Sequence, residues 1–380
     1  MPWKERTVEK LREELVEAAK GCTNLSRRCR AYNISRPTAC KWLERSARGE
    51  PLCDRSHIPH SVPNKTSEEV ERAVLKIRSE NPGWRGKTIR KVLLNGGLEE
   101  LPGSRTCSNI LKRNGCVSEE ESQKRKAYIR FEKEFCNEMW QTDFKGDFRL
   151  GDGSRCYPLT VIDSHSRYSI LIEAKPNTLG VKDSFIRAFK SLGMPGSLLS
   201  GHGPQFAGFG GGCNEFEKWL MEHDILPIHR RAYHPQTQGK IERFHRAMKD
   251  ALLKHRAFSN LREADEALQS WREKYNTIRP HGALGMLCPN EVYEPSKRSF
   301  TEKAPVYEYS GAYHVIKANS WGYVRLAGFQ TFLSESMRNE YVEFRPCAQE
   351  DRFLVCLRNF AIAHFDANTG KLLRRSAFRL

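Results

Sequence analysis

WQTDFKGDFRL (140–150), YPLTVID (157–163) and YSILIEA (168–174) are three runs rich in β-branched and aromatic residues. Gly151-Asp152-Gly153-Ser154 and Asp163-Ser164-His165-Ser166-Arg167 separate them, the spacing of an antiparallel meander. The periodicity then changes. A helix is predicted at about 181–192, with Phe185, Ile186 and Phe189 on its apolar side, followed by a short strand at Ser197–Ser200. A helix over Asn214–His223, a strand over Ile225–His229 and a long helix from about Gly239 to His255 complete the series. Three antiparallel strands followed by alternating helix and strand predict an α/β core, a mixed sheet covered by helices.

Upstream, the first fifty-odd residues read as three short helices. Val8, Leu11, Leu15 and Ala18 recur at helical spacing, Gly21 stops that helix, and Thr23 or Asn24 can cap a second one carrying Leu25 and Cys29. After a Tyr32-Asn33-Ile34 turn, Ser35 caps a third helix with Ala39, Trp42 and Leu43 inward. Arg36, Thr38, Lys41 and Arg45 are then left outside, suited to a DNA major groove. This is a helix-turn-helix pattern, and its plainer alternative is a three-helix bundle with a solvated basic face. Residues 54–66, with Pro59 and Pro63, read as a linker. Thr66 and Glu69 have capping-box spacing ahead of Val70, Val74 and Ile77. Helices near 87–95 and 105–114 follow, the second presenting Arg105, Asn109, Lys112 and Arg113, and suggest another helix-turn-helix-like unit. Downstream of Phe300, short β segments (Tyr323–Leu326, Tyr341–Phe344, Phe353–Cys356, Ala361–Phe365) predict a small all-β barrel. The expected domains are 1–55, 64–116, 130–295 and 300–380.

The chain has 380 residues, enough for several cores, and carries 63 Lys and Arg against 46 Asp and Glu, a formal charge of +17. Such an excess favours a polyanionic partner, because each phosphate neutralised releases condensed counterions; a basic surface kept for solubility is the alternative. Twelve cysteines are scattered without a Cys-x-x-Cys pair, which predicts reduced core thiols in an intracellular protein. No apolar run suits a signal peptide or a membrane span, and the expectation is a cytoplasmic protein with access to DNA.

Phosphodiester chemistry with two metal ions needs several carboxylates converging at the end of a sheet. Asp143 in the first strand and Glu242 at the start of the long helix are the two candidates. On that helix Ile241, His245, Met248 and Leu252 form the buried stripe, so Glu242 projects outward on the same side as Arg246 and Lys249. Taken singly, a strand aspartate is weak evidence and Glu242 with Arg246 an ordinary surface pair.

Read together, WQTDFKG, LTVIDSHSRY, LLSxxGPQF, YHPQTQGKIERFHR and YNTIRPHGALG (275–285) resemble, in order and spacing, the integrase core of bacterial insertion-sequence transposases related to retroviral integrases. The resemblance extends over nearly the whole chain. It implies a ribonuclease-H-like core, an Asp-Asp-Glu triad binding Mg²⁺ (or Mn²⁺), DNA partners at element ends and target, and homo-oligomers. It also implies a polynucleotidyl transferase activity in a nucleoid-associated protein. Carried over by motif, Asp143 and Glu242 are the first and third catalytic, metal-binding residues. The second should follow Ser200, where the family reads Ser-Asp-(Asn/His)-Gly, and here that residue is Gly201. Glycine offers no ligand, and His202 stands one residue too far along, so strand transfer is expected to be severely impaired. The alternative is an inactive protein that occupies element ends and represses transposition. Lys240, Arg243, Arg246 and Lys249 are candidate phosphate contacts, and His234, Gln236, Thr237 and Gln238 lie where the family meets DNA ends. Asp163 with Arg167 is expected to shape the hairpin turn. No structural zinc is expected.

Overall fold

The computed structural model describes residues 7–22, 24–54, 66–117, 132–208, 212–229, 239–349 and 351–380. The chain divides into two compact units, one up to Lys65 and one from Thr66 onward.

The first unit holds α1 (Val8–Ala19), α2 (Leu25–Ala31) and α3 (Arg36–Ala47). Side-chain oxygens start each helix, since the first turn has backbone N–H groups without intrahelical acceptors: Thr7 accepts from Lys10 N, Asn24 from Arg27 N and Ser35 from Thr38 N. Asn33, with φ of 54°, makes the turn between α2 and α3. The core is Leu15, Cys29, Ala39 and Trp42. Val8 and Leu11, expected inside, are exposed, and Val16 joins Leu15 in burial, so the buried stripe of α1 is narrower than its apolar residues suggest.

The second unit opens with α4 (Glu68–Glu80), α5 (Gly86–Asn95) and α6 (Ser104–Arg113), packed around Val74, Ile89, Leu93, Cys107 and Ile110. The expected cap of α4 shifts by one residue. Ser67, rather than Thr66, accepts from Val70 N, and no capping box forms.

Next comes the mixed sheet, built from β1 (Trp140–Phe144), a short β2 (Phe148–Arg149), β3 (Arg155–Asp163), β4 (Ser169–Lys175), β5 (Ser197–Ser200) and β6 (Leu226–His229). Between its strands run α7 (Val181–Leu192) and α8 (Glu215–Glu222). β4 pairs with β3 and β3 with β1, both antiparallel; β5 is parallel to β1 and β6 to β5. The main strand order is therefore β4-β3-β1-β5-β6, the ribonuclease-H-like arrangement. One face is covered by α7 and α8 around Trp140, Phe185, Phe189 and Trp219. The other carries α9 (Gly239–Met248) and α10 (Leu261–Thr277), packing Ile241, Phe244, Met248, Leu268 and Trp271 against Ile162 and Ile172. The long helix expected from Gly239 to His255 is interrupted, since α9 gives way to a π-helical turn at Lys249–Leu253, and Leu252 is only half-buried.

A short α11 (Pro289–Val292) leads to the C-terminal strands β7 (His314–Lys317), β8 (Tyr323–Leu326), β9 (Phe329–Phe332), β10 (Tyr341–Pro346), β11 (Arg352–Leu357), β12 (Phe360–Asp366) and β13 (Leu372–Arg379). They form an antiparallel sheet ordered β13-β12-β11-β10-β7 and a separate β8-β9 hairpin. Phe344, Phe360 and Phe365 fill their core, which Met221 of α8 also enters.

Candidate active site

Asp143 is the fourth residue of a strand whose first three residues, Trp140, Gln141 and Thr142, are fully buried. It is half-buried, opposite Thr160 of β3, where the sheet opens to solvent. β5 runs parallel on the other side and ends at Ser200, which delivers Gly201 beside Asp143. A Cβ placed on Gly201 would lie 3.6 Å from Asp143 Oδ1 and meet nothing else within 4 Å. The backbone of Gly201 lies outside the left-handed region, so neither space nor strain demands glycine here.

Three side-chain contacts hold α9 against β1, β3 and the turn that follows β3. Gln141 accepts from Ile241 N at 3.3 Å through Oε1 and donates to Ser164 Oγ at 3.0 Å. Lys240 donates to the Ser164 carbonyl at 2.8 Å. One turn further on, His245 Nε2 lies 2.7 Å from Thr160 Oγ1, and that hydroxyl donates to the carbonyl of Asp143 at 2.8 Å. Thr160 has one hydrogen and spends it on Asp143, so His245 must donate from Nε2 and leave Nδ1 bare. Burial, reinforced by Lys145, pushes the His245 pKa down to about 3, which keeps the ring neutral. The strand bearing Asp143 and the helix bearing Glu242 are thus joined through a hydroxyl and an imidazole.

Glu242, Arg243 and Arg246 are exposed on α9 and Lys249 at the start of the π-helical turn, as the pattern predicts. Lys240 is not on that face. Its ammonium is turned inward to Ser164, and burial, followed by the charge of Arg167, lowers its pKa to about 8. This contact docks the helix. On α3, Arg36, Thr38 and Lys41 are exposed, whereas Arg45 donates to the Cys53 carbonyl at 3.1 Å and lies over the Trp42 ring. His234, Gln236, Thr237 and Gln238 lie outside the described residues.

His202 is turned toward β6. Its ring lies 5.8 Å from that of His229, which in turn contacts Ser200 Oγ at 3.1 Å and Glu217 Oε1 at 2.7 Å. Among the described residues, no three of His, Cys, Asp and Glu converge as a metal-binding set. Asp143, Glu242 and an empty position at Gly201 do not fit the site two dications require.

Asp163 serves the hairpin. Fully buried, its carboxylate accepts from Asn137 N, His165 N, Ser166 N and Ser166 Oγ at 2.7–3.0 Å. Arg167 reaches the Ser164 and His165 carbonyls and Glu132 instead of the Asp163 carboxylate. Replacing Asp163 with Ala strands these donors and is expected to cost about 3 kcal/mol, read as a fall in the denaturation midpoint.

Two residues were missed by the sequence reading. His245 stands in the buried stripe of the helix, where a histidine between Ile241 and Met248 signals a buried polar partner. Lys145, two residues after Asp143, is half-buried beside it.

Two family models, each described as an integrase core domain, match residues 136–235 and 223–289. The chain is similar to the 31.7 kDa protein of insertion element IS407 from Burkholderia multivorans, 29% identical over 171 residues, covering 44% of this chain and 59% of that protein. It is also similar to the 39.2 kDa protein of insertion element IS476 from Xanthomonas euvesicatoria, 28% identical over 158 residues, 40% of this chain and 43% of that one. The chain thus spans about half the length of the curated relatives it matches. Among solved structures it is similar to the HTLV-2 integrase catalytic core domain in complex with magnesium, with 17% identity, 42% of this chain, 97% of that chain and a TM-score of 0.33. Residues 136–289 are thus matched by integrase core domain models, and the similar curated proteins are those of bacterial insertion elements.

Proposed function

We propose that the chain is an insertion-element transposase that binds the ends of its element and has its DNA cleavage and strand transfer impaired by Gly201. The observation that carries this reading is the vacant position 3.6 Å from Asp143 Oδ1, where one aspartate side chain would supply the second carboxylate. The family relationship supports DNA as the partner, and the net charge of +17 suits it. Magnesium, or manganese in its place, is the cofactor proposed for a restored site, with Asp143 and Glu242 as the remaining ligands.

In the same reading, α2 and α3 form a helix-turn-helix that reads element ends through Arg36, Thr38 and Lys41, and α4–α6 form a second such unit. The C-terminal strands form a small barrel, and the protein works as a homo-oligomer at the nucleoid. Removing Trp42, the largest side chain of the first core, is expected to cost that unit about 3–5 kcal/mol. Trp42→Ala should abolish recognition of element ends while the second unit keeps its own melting transition, which calorimetry and an end-binding assay would check.

A second reading is favoured by the same glycine: an inactive protein that occupies element ends and represses transposition. Strand transfer on labelled element-end DNA, comparing the chain with Gly201→Asp in Mg²⁺ and in Mn²⁺, tests the first reading. End binding without joining by either protein would leave the second.

A further inference from the structure

A cleft of about 310 Å³ opens beside the candidate active site, between the segment joining β1 to β2 and the π-helical turn after α9. Phe148, Leu253 and Phe258 contribute its apolar lining, with the Phe148 and Phe258 rings 5.7 Å apart. Its charged lining is Lys145, Arg149, Lys249, Lys254 and Arg256 against the single carboxylate Asp147.

The internal ion pairs take up only part of this charge. Asp147 is bound by Arg155 from outside the cleft, Lys254 pairs with Asp250 at 2.8 Å and Arg256 with Glu263 at 2.8 Å. Among the described residues Lys145, Arg149 and Lys249 have no such ion pair. Lys145 is the most constrained of the three. It is half-buried in the cleft wall, whereas Arg149 and Lys249 are exposed. Crowded like charges beside an apolar surface are costly without an anion to hold them, and a phosphate oxygen is the anion a DNA-joining enzyme meets.

We propose that this cleft, whose Lys145 follows Asp143 by two residues, seats a DNA backbone phosphate through Lys145 and Arg149, together with Lys249. The inference rests on the DNA-binding reading above and extends it from the outer face of α9 to the β1–β2 connection. The contact is independent of base identity, since these cations meet the backbone. It fixes where the strand leaves the catalytic carboxylate.

The test is fluorescence anisotropy of the full chain on a labelled element-end duplex over a series of salt concentrations. For Lys145→Gln/Arg149→Gln the slope of log K against log[salt] should fall in magnitude by about 2, with affinity lost equally on end and unrelated duplexes. Arg262→Gln, an exposed cation on α10, should leave the slope unchanged, and Lys145→Arg/Arg149→Lys should restore it. Should the double variant fail to fold, exposed Arg149→Gln alone carries the test with a fall of about 1. An unchanged slope with the duplex still bound overturns the cleft proposal. A wild-type chain that binds no duplex overturns the DNA reading beneath it.

Discussion

Replacing Gly201 with aspartate is expected to switch on strand transfer in Mg²⁺ by at least ~10²–10³-fold, the range lost when one preorganised electrostatic group is removed from an active site. The new Cβ meets only the Asp143 carboxylate, and the backbone conformation accepts any L side chain, so the substitution adds a ligand without distorting the sheet. In the absence of metal, two carboxylates this close repel, and a dication relieves them. Mg²⁺ should therefore raise the melting temperature of Gly201→Asp in a concentration-dependent way and leave the glycine chain unmoved. Joining and thermal shift report the same ligand by independent routes. Equal, robust joining by both proteins would sink the reading of Gly201.

The second large effect concerns His245. Neutral in the fold, it has a pKa pushed down to about 3, whereas an unfolded histidine titrates near 6.5. Between those values the unfolded chain binds the extra proton, so this group's contribution is complete above pH 6.5 and is lost as pH falls toward 3. The slope is up to about 1.4 kcal/mol per pH unit. The Lys145 ammonium beside it acts in the same direction as burial. His245→Gln should flatten the decline between pH 6.5 and 4.5 in urea unfolding. His245→Ala should cost about 2–4 kcal/mol at pH 7.5 by removing a buried ring that donates to Thr160. In a Gly201→Asp background the alanine variant should also lower joining more than it lowers stability, because Thr160 links the helix to the carbonyl of Asp143. A pH profile unchanged by His245→Gln would remove the neutral imidazole from this account.

Much of this architecture was legible because its signals are local. The runs at 140–150, 157–163 and 168–174 alternate and branch as strands do, and Ser35 and Asn24 announce their helices through side chains that reach three residues ahead. The helix α10 carries Ala264, Leu268, Trp271 and Tyr275 at helical spacing, a local signal of the same kind. β7 and β9 bury at most one residue of four, which leaves no apolar pattern to read. The inward turn of Lys240 depends on where the Ser164 carbonyl stands, 76 residues earlier in the chain, and no periodicity encodes that. The same holds for Lys145, whose importance comes from Lys249 and Asp143 meeting it in space. Gly201 was legible as a departure from a motif, and the sheet register explains why a single position carries the consequence.

The contacts from Gln141, Ser164 and Thr160 to the helix of Glu242 do not pass through Gly201. Under the proposed reading, a subunit of this kind would keep its shape and its capacity to assemble while lacking its chemistry. Mixed with a competent copy, it would enter joint complexes at the frequency of its own abundance. If every subunit of a complex must be competent, output falls as the competent fraction raised to the number of subunits, so modest expression of the glycine form would quiet an active element by dosage alone.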